Sequence, residues 1–226
     1  MKKTIQQLFA GLMILIAMPL FAAETLQLHW ENNQLKGPES VVFDERSKLL
    51  FVSNVNGAPT DKNGKGFIST ITLDGKMSHV KWVEGLHAPK GLAIFGRKLY
   101  VADIDQLLVI NIENGRVENK YYAEGAKFLN DVAVDSIGNI YVSDMMTNAI
   151  YRLSAGAFNL WLQDDALERP NGITIQGEEI VLASWGVMTD GVNTAVPGHL
   201  KTISLASKTI KSLGNGQPIG NLDGVE

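Results

Sequence analysis

Cysteine is absent from the 226 residues, which excludes disulfides, a thiol nucleophile and a lipid-anchored cysteine. Basic clusters are absent too. The 20 Lys and Arg are dispersed among 24 Asp and Glu, for a net charge of −4, so nucleic acid is not an expected partner. No Walker loop, Gly-x-Ser-x-Gly elbow or Rossmann fingerprint occurs, and "GNGQPIGN" (214–221) lacks the Lys-Ser/Thr pair of a phosphate cradle. "DKNGKGFI" (61–68) opens like an EF-hand loop with Asp61, Asn63 and Gly66. It then places Lys65 at the fifth position and Thr72 at the twelfth, where a bidentate Glu is needed, and so reads as a glycine-rich loop. His29, His79, His87 and His199 share no metal-ligand spacing. His199 and Trp185 flank a long polar insertion, as candidates to line a pocket or as ordinary loop residues.

Only one long apolar run is present. "MKK" followed by "LFAGLMILIAMPLFAA" (8–23) has the basic start, apolar middle and small-residue end of a secretory signal peptide. The run is shorter than the roughly 20 residues of a membrane span. Residues 1–23 are therefore expected to be removed, after Ala22 or Ala23, with an uncleaved anchor as the alternative. Removing Lys2 and Lys3 leaves 18 basic against 24 acidic residues, a net charge of −6. The expected product, residues 24–226, is one periplasmic or secreted domain with no stable membrane insertion.

Helix-period patterns are scarce; what recurs is a pair of strands. "SVVFDERSKLLFVSN" (40–54), "GLAIFGRKLYVAD" (91–103), "DVAVDSIGNIYVSD" (131–144) and "GITIQGEEIVLAS" (172–184) each run out in apolar alternation, turn, and return. One or two further strands follow each, with Asp74-Gly75 and Asn114-Gly115 at hairpin positions. The residues before the first strands are Glu39, Lys90, Asn130, Asn171 and Asp223, spaced by 51, 40, 41 and 52 residues. Four short strands per 40–50 residues is the pattern of a β-propeller. The insertions at 56–66 and 184–198 then belong to loops at a propeller end.

The expected fold is all-β, a six-bladed β-propeller represented by about four blades and the start of a fifth at "NLDGVE" (221–226). "TLQLHWEN" (25–32) is expected to be a strand that closes the ring. A naturally short chain that oligomerises is the alternative. Asn54, Asp103 and Asp144 end successive second strands, a repetition that favours bonding to nearby backbone. Met145 and Met146 follow the third of these, as pocket lining or packing.

The residue opening each innermost strand faces the channel mouth. Four of these five positions carry oxygen donors, two carboxylates and two amides, which suits calcium or another hard divalent cation. Zinc or copper would call for His or Cys. The competing reading is that Asn and Asp stand there as turn residues.

"GPES", "FLND", "RPNG" and "LDGV" resemble the metal-binding segments of the regucalcin/gluconolactonase-like six-bladed propellers, the senescence-marker-protein/gluconolactonase group. "IYVSDMMTNAIYRL" resembles the NHL repeat. The resemblance implies a metal site of Glu39, Asn130, Asn171 and Asp223, and hydrolysis of a small lactone or ester, with Asp223 also acting as base. It departs from the related paraoxonases, whose second-blade histidine is replaced by Lys90. That lysine is a candidate to bind an anionic substrate group, to act as an amine, or to fill the place of a second cation. The rival reading is a non-catalytic propeller that binds a ligand or partner, its metal structural.

Overall fold

The computed structural model describes residues 27–188 and 196–226; the signal peptide expected at 1–23 lies outside them. Among the described residues sixteen strands form four separate four-stranded antiparallel sheets, each a meander in chain order. The first blade consists of β1 (Pro38–Asp44), β2 (Leu49–Asn54), β3 (Gly66–Thr72) and β4 (Met77–Leu86). The second has β5 (Pro89–Phe95), β6 (Lys98–Asp103), β7 (Gln106–Asn111) and β8 (Val117–Tyr122). In the third are β9 (Leu129–Val134), β10 (Ile140–Asp144), β11 (Ala149–Ser154) and β12 (Ala157–Gln163). After a 3-10 turn at Asp165–Leu167, the fourth has β13 (Pro170–Gln176), β14 (Glu179–Ser184), β15 (Leu200–Ser204) and β16 (Ile210–Ser212). The first strands β1, β5, β9 and β13 contact one another in succession, as the innermost strands of a propeller do. Among the described residues no helix is long and apolar enough to cross a membrane.

The blades stack because each is apolar on both faces. Tyr141 packs towards the fourth blade while its neighbour Val142 packs towards the second, the two-residue period of a strand. Phe51, Ile68 and Val83 meet Leu92, Leu99 and Leu108 between the first two blades. Tyr100 and Leu107 meet Val132 and Tyr151 at the next junction. Tyr141 and Trp161, edge to face at 5.2 Å, meet Ile173, Ile180 and Ile203 at the third. Each large side chain buried this way stabilises the stack by about 1.5–3 kcal/mol, so the blades hold one another in register as an open array whose four sheets, among the described residues, do not close into a ring.

The second-strand ends fasten the chain leading into each blade. Asn54 Oδ1 accepts the Lys36 N–H at 2.8 Å. Asp103 accepts those of His87 and Ala88 at 3.0 and 2.7 Å. Asp144 accepts four, from Lys127, Phe128, Met146 and Thr147. Backbone bonding is thus what this repeated position does. One expectation needs correction. Residues 27–35 form no strand; instead Trp30 donates its indole N–H to the Leu73 carbonyl at 2.9 Å, and Asn32 donates to Gly75 at 3.3 Å. The polar sequence "ENNQ" satisfies its backbone by local turns, as in the Gln34 N–H to Asn32 Oδ1 bond of 2.9 Å.

Candidate functional site at the channel mouth

Each innermost strand carries a β-bulge near its start. Register runs from Pro38 opposite Asn54 to Val41 opposite Val52, so Glu39 and Ser40 together face Ser53. The same shift sets Lys90-Gly91 against Ala102, Asn130-Asp131 against Ser143, and Asn171-Gly172 against Ala183. A bulge leaves one residue without a ladder partner and re-aims its side chain. Four of the five residues singled out by blade spacing, Glu39, Lys90, Asn130 and Asn171, are therefore the first residues of equivalent bulges. The fifth, Asp223, lies in residues 221–226, which form no strand where a fifth blade is expected to open.

The second bulge position is set by how closely the next strand approaches. A Cβ on Gly91 would lie 2.5 Å from the Asp131 Cα and 2.7 Å from the Asn130 carbonyl oxygen. One on Gly172 would lie 2.3 Å from the Asp223 carbonyl oxygen. Residues 223–225 thus press against β13 as the start of β9 presses against β5. That contact brings Asp223 to the other ring positions.

Glu39, Asn130, Asn171 and Asp223 line one cavity of about 400 Å³, together with Asp131 and Glu226. Its remaining wall is largely aliphatic, including Val42, Leu92, Ala133, Ile173 and Val225. Asn130 donates its amide N–H to Asn171 Oδ1, and Asn171 donates its own to Asp223 Oδ1 at 2.8 Å. Asn130 and Asn171 are buried while Asp223 is exposed to the channel. The Glu39 carboxyl is pushed up to about 8 by desolvation first and by Asp131 and Asp223 as well, with Lys90 pulling the other way, although channel water still reaches it. Asp131 is pushed up to about 6 by desolvation, against hydrogen bonds from the Ile173 and Val132 N–H groups. Carboxylates crowded in a recess without a cation resist ionising together.

Lys90 stands apart from this cavity. Its side chain is 2 % exposed, and its ammonium donates to the Pro59 and Ala88 carbonyls at 2.9 and 3.0 Å. It also lies 4.4 Å from the Phe128 ring centroid. Burial lowers its pKa to about 8, opposed by Glu39, Asp103 and Asp144. The 56–66 insertion supplies Pro59 and is itself tied down by a Lys62–Asp105 ion pair and a Gly64 N–H to His87 Nδ1 bond.

The donors at the mouth fit a hard divalent cation: two carboxylates and two amide oxygens on four converging segments, with no sulfur or imidazole. Among the described residues, no three His, Cys, Asp or Glu side chains are grouped to hold a metal ion. The two amides are therefore necessary members of any such set. Each amide exchanges its oxygen for its nitrogen by turning half a revolution, so both can present oxygen to the cavity once the side-chain relay opens.

Asp131 and Ser143 were not singled out by the sequence pattern. The signal for Asp131 was its place in "FLND", at the position occupied elsewhere by Ser40, Gly91, Gly172 and Gly224. His199 is held by Glu168 at 2.7 Å, beside Lys201, and lies outside the cavity lining, as does Trp185. Met145 is buried in packing, and the Met146 carbonyl accepts from Arg169 at 2.8 Å.

The fold and this geometry define a propeller with a polar channel mouth. Solved structures share the architecture. A chain from a crystal structure of a nidogen/laminin complex superposes with a TM-score of 0.62 at 16 % identity, over 84 % of this chain and 68 % of that one. Virginiamycin B lyase from Staphylococcus aureus gives 0.56 at 14 % identity, over 87 % and 76 %. No family model matches the chain, and no curated protein matches it.

Proposed function

We propose that the channel mouth binds calcium or another hard divalent cation through Glu39, Asn130, Asn171 and Asp223, and that the protein hydrolyses a small lactone or ester after export. The reading places it with the regucalcin/gluconolactonase-like propellers. The observation that carries it is the convergence on one cavity of four oxygen-bearing side chains, three from separate bulges and Asp223 from the segment packed against β13. A bound cation there would supply Lewis-acid polarisation of the substrate carbonyl. Asp223, exposed to the channel and held through Oδ1 by Asn171, takes the proton of an attacking water. Asn130 and Asn171 orient the substrate oxygen, and the aliphatic wall receives its carbon skeleton and limits competing water.

The role of Lys90 narrows within this reading. With its ammonium engaged by Pro59, Ala88 and the Phe128 ring, it is an internal cation beside the acidic ring rather than an anchor for an anionic substrate. A non-catalytic binding propeller is the second reading, favoured by the likeness to a chain from a protein–protein complex.

Calcium-dependent thermal melting of the wild type beside Asn171→Ala tests the site, and a lactone panel with and without chelator tests the chemistry. A calcium-induced rise in Tm that Asn171→Ala abolishes, with chelator-sensitive turnover lost in Asp223→Asn, is the expected result. No calcium effect on the wild type overturns the metal site. Calcium binding without turnover favours the binding propeller.

A further inference from the structure

The third and fourth blades are joined differently from the others, and the difference falls on Asn171. Ser143 Oγ accepts the Asp131 N–H at 3.0 Å within its own blade and donates across the junction to the Asn171 carbonyl at 2.7 Å. Asp131 reaches across the same junction, its Oδ2 accepting the Ile173 N–H at 2.8 Å. The bulge residues Asn171 and Gly172 thus lie between two bonds made by the neighbouring blade. The channel-side edge of an innermost strand presents backbone groups that lack ladder partners, and here two of them are satisfied by side chains.

The equivalent positions elsewhere do not repeat this. In the first blade the pair is Ser40 and Ser53, and the Ser53 hydroxyl bonds only the Ser40 backbone, at 3.0 and 3.4 Å. In the second and fourth blades the pairs are Gly91 with Ala102 and Gly172 with Ala183, which carry no polar side-chain atom. Of the two bonds across the third junction, one holds the Asn171 carbonyl and the other the Ile173 N–H. Neither engages the Asn171 amide, which bonds Asn130, Asp223 and, at 3.4 Å, the Leu222 carbonyl.

We infer that Ser143 and Asp131 are positioning residues that fix the backbone of Asn171, so that its amide can turn from Asp223 towards a bound cation without the bulge moving. The inference rests on the proposed cation site for its use, but the positioning itself is a property of the cation-free protein. It predicts that a side chain outside the donor set, Ser143, controls cation affinity. Ser53, an equally buried serine at the equivalent place, does not.

The test uses the full chain in two measurements. Backbone hydrogen exchange across residues 170–174 is followed without calcium in Ser143→Ala, Ser53→Ala, Asp131→Ala and Asp131→Asn. Calcium affinity is measured by calorimetry in the wild type and the two serine variants. Exchange is expected to accelerate at least tenfold in Ser143→Ala and Asp131→Ala. It should stay within twofold of wild type in Ser53→Ala, and also in Asp131→Asn, which keeps an acceptor for Ile173. The calcium Kd should rise at least fivefold in Ser143→Ala and less than twofold in Ser53→Ala. Equal exchange in the two serine variants overturns the positioning role, whatever calcium does. Should Ser143→Ala fail to fold, the Asp131 pair decides: Asn exchanging as fast as Ala overturns the role. A wild type that binds no calcium but shows the expected exchange pattern ends the metal reading and leaves the positioning role standing.

Discussion

Lys90 and Asn171 occupy the same place in their blades, the first residue of a bulge at the start of an innermost strand. Their fates differ. Asn171 lines the cavity and bonds Asp223, whereas Lys90 is sealed under the 56–66 insertion with its ammonium on two carbonyls and a ring face. The backbone geometry is shared, so it does not decide which residue can meet a ligand. What covers the position decides. Lys90 has Pro59 above it, contributed by a neighbouring blade.

The strongest way to break this contrast is to remove the buried ammonium. Lys90→Ala leaves two carbonyls without their donor and opens a void, which costs about 3 kcal/mol. Denaturant unfolding should show that loss, with Lys90→Met, which keeps the stem, losing less. Calcium affinity should stay within a few-fold in Lys90→Met if Lys90 is structural; a loss as large as that of Asn171→Ala would return it to the site. Asn171→Ala is expected to have the opposite profile. Saturation to about 100-fold above Kd should stabilise the wild type by about 2.7 kcal/mol, and this increment should vanish in the variant.

Spacing marked Glu39, Lys90, Asn130, Asn171 and Asp223 alike, because each blade opens with its innermost strand after 40 to 52 residues; four of them line the cavity and Lys90 does not. The bonding role of Asn54, Asp103 and Asp144 was legible for the same reason. The bulges were not, since a bulge is a mismatch between two strands and appears in neither strand's own alternation. Nor does the sequence show at Gly91 and Gly172 that neighbouring backbone lies within 3 Å of where a Cβ would stand. Asp131 was hidden because its partner is the Ile173 N–H, 42 residues away. "TLQLHWEN" misled through its apolar alternation; residues 27–35 instead anchor Trp30 on the Leu73 carbonyl.

A smaller effect should separate Glu39 from its cavity neighbour Asp131 by pH. Glu39 has its pKa raised from 4.5 to about 8. Below 4.5 both folded and unfolded states carry the proton; between 4.5 and about 8 only the folded state does. Stability of the calcium-free protein therefore falls as pH rises through that window and levels off above it. Glu39→Gln should remove the part of the fall above pH 6, leaving the shorter fall due to Asp131, which is raised to about 6. Because channel water reaches Glu39, screening limits its share to about 1 kcal/mol, or roughly 2–4 °C in Tm for a domain of this size. Melting in chelator at half-unit steps from pH 5 to 8.5 would resolve it. An unchanged slope in Glu39→Gln would move the repulsion elsewhere in the channel.

The smallest effect tests the cover over Lys90 without touching Lys90 itself. Lys62 pairs with Asp105, and with Lys62 half exposed the pair is worth about 0.5 kcal/mol. Lys62→Ala should therefore lower Tm by about 1–2 °C. Its informative consequence is chemical. If the 56–66 insertion is what separates Lys90 from the cavity residues, loosening it should raise the reactivity of the Lys90 amine towards an acylating reagent while leaving calcium affinity unchanged. Lys90 modification equal to wild type would mean that the Pro59 contact and the Gly64–His87 bond hold the cover by themselves, and that the contrast between Lys90 and Asn171 is fixed by packing rather than by this ion pair.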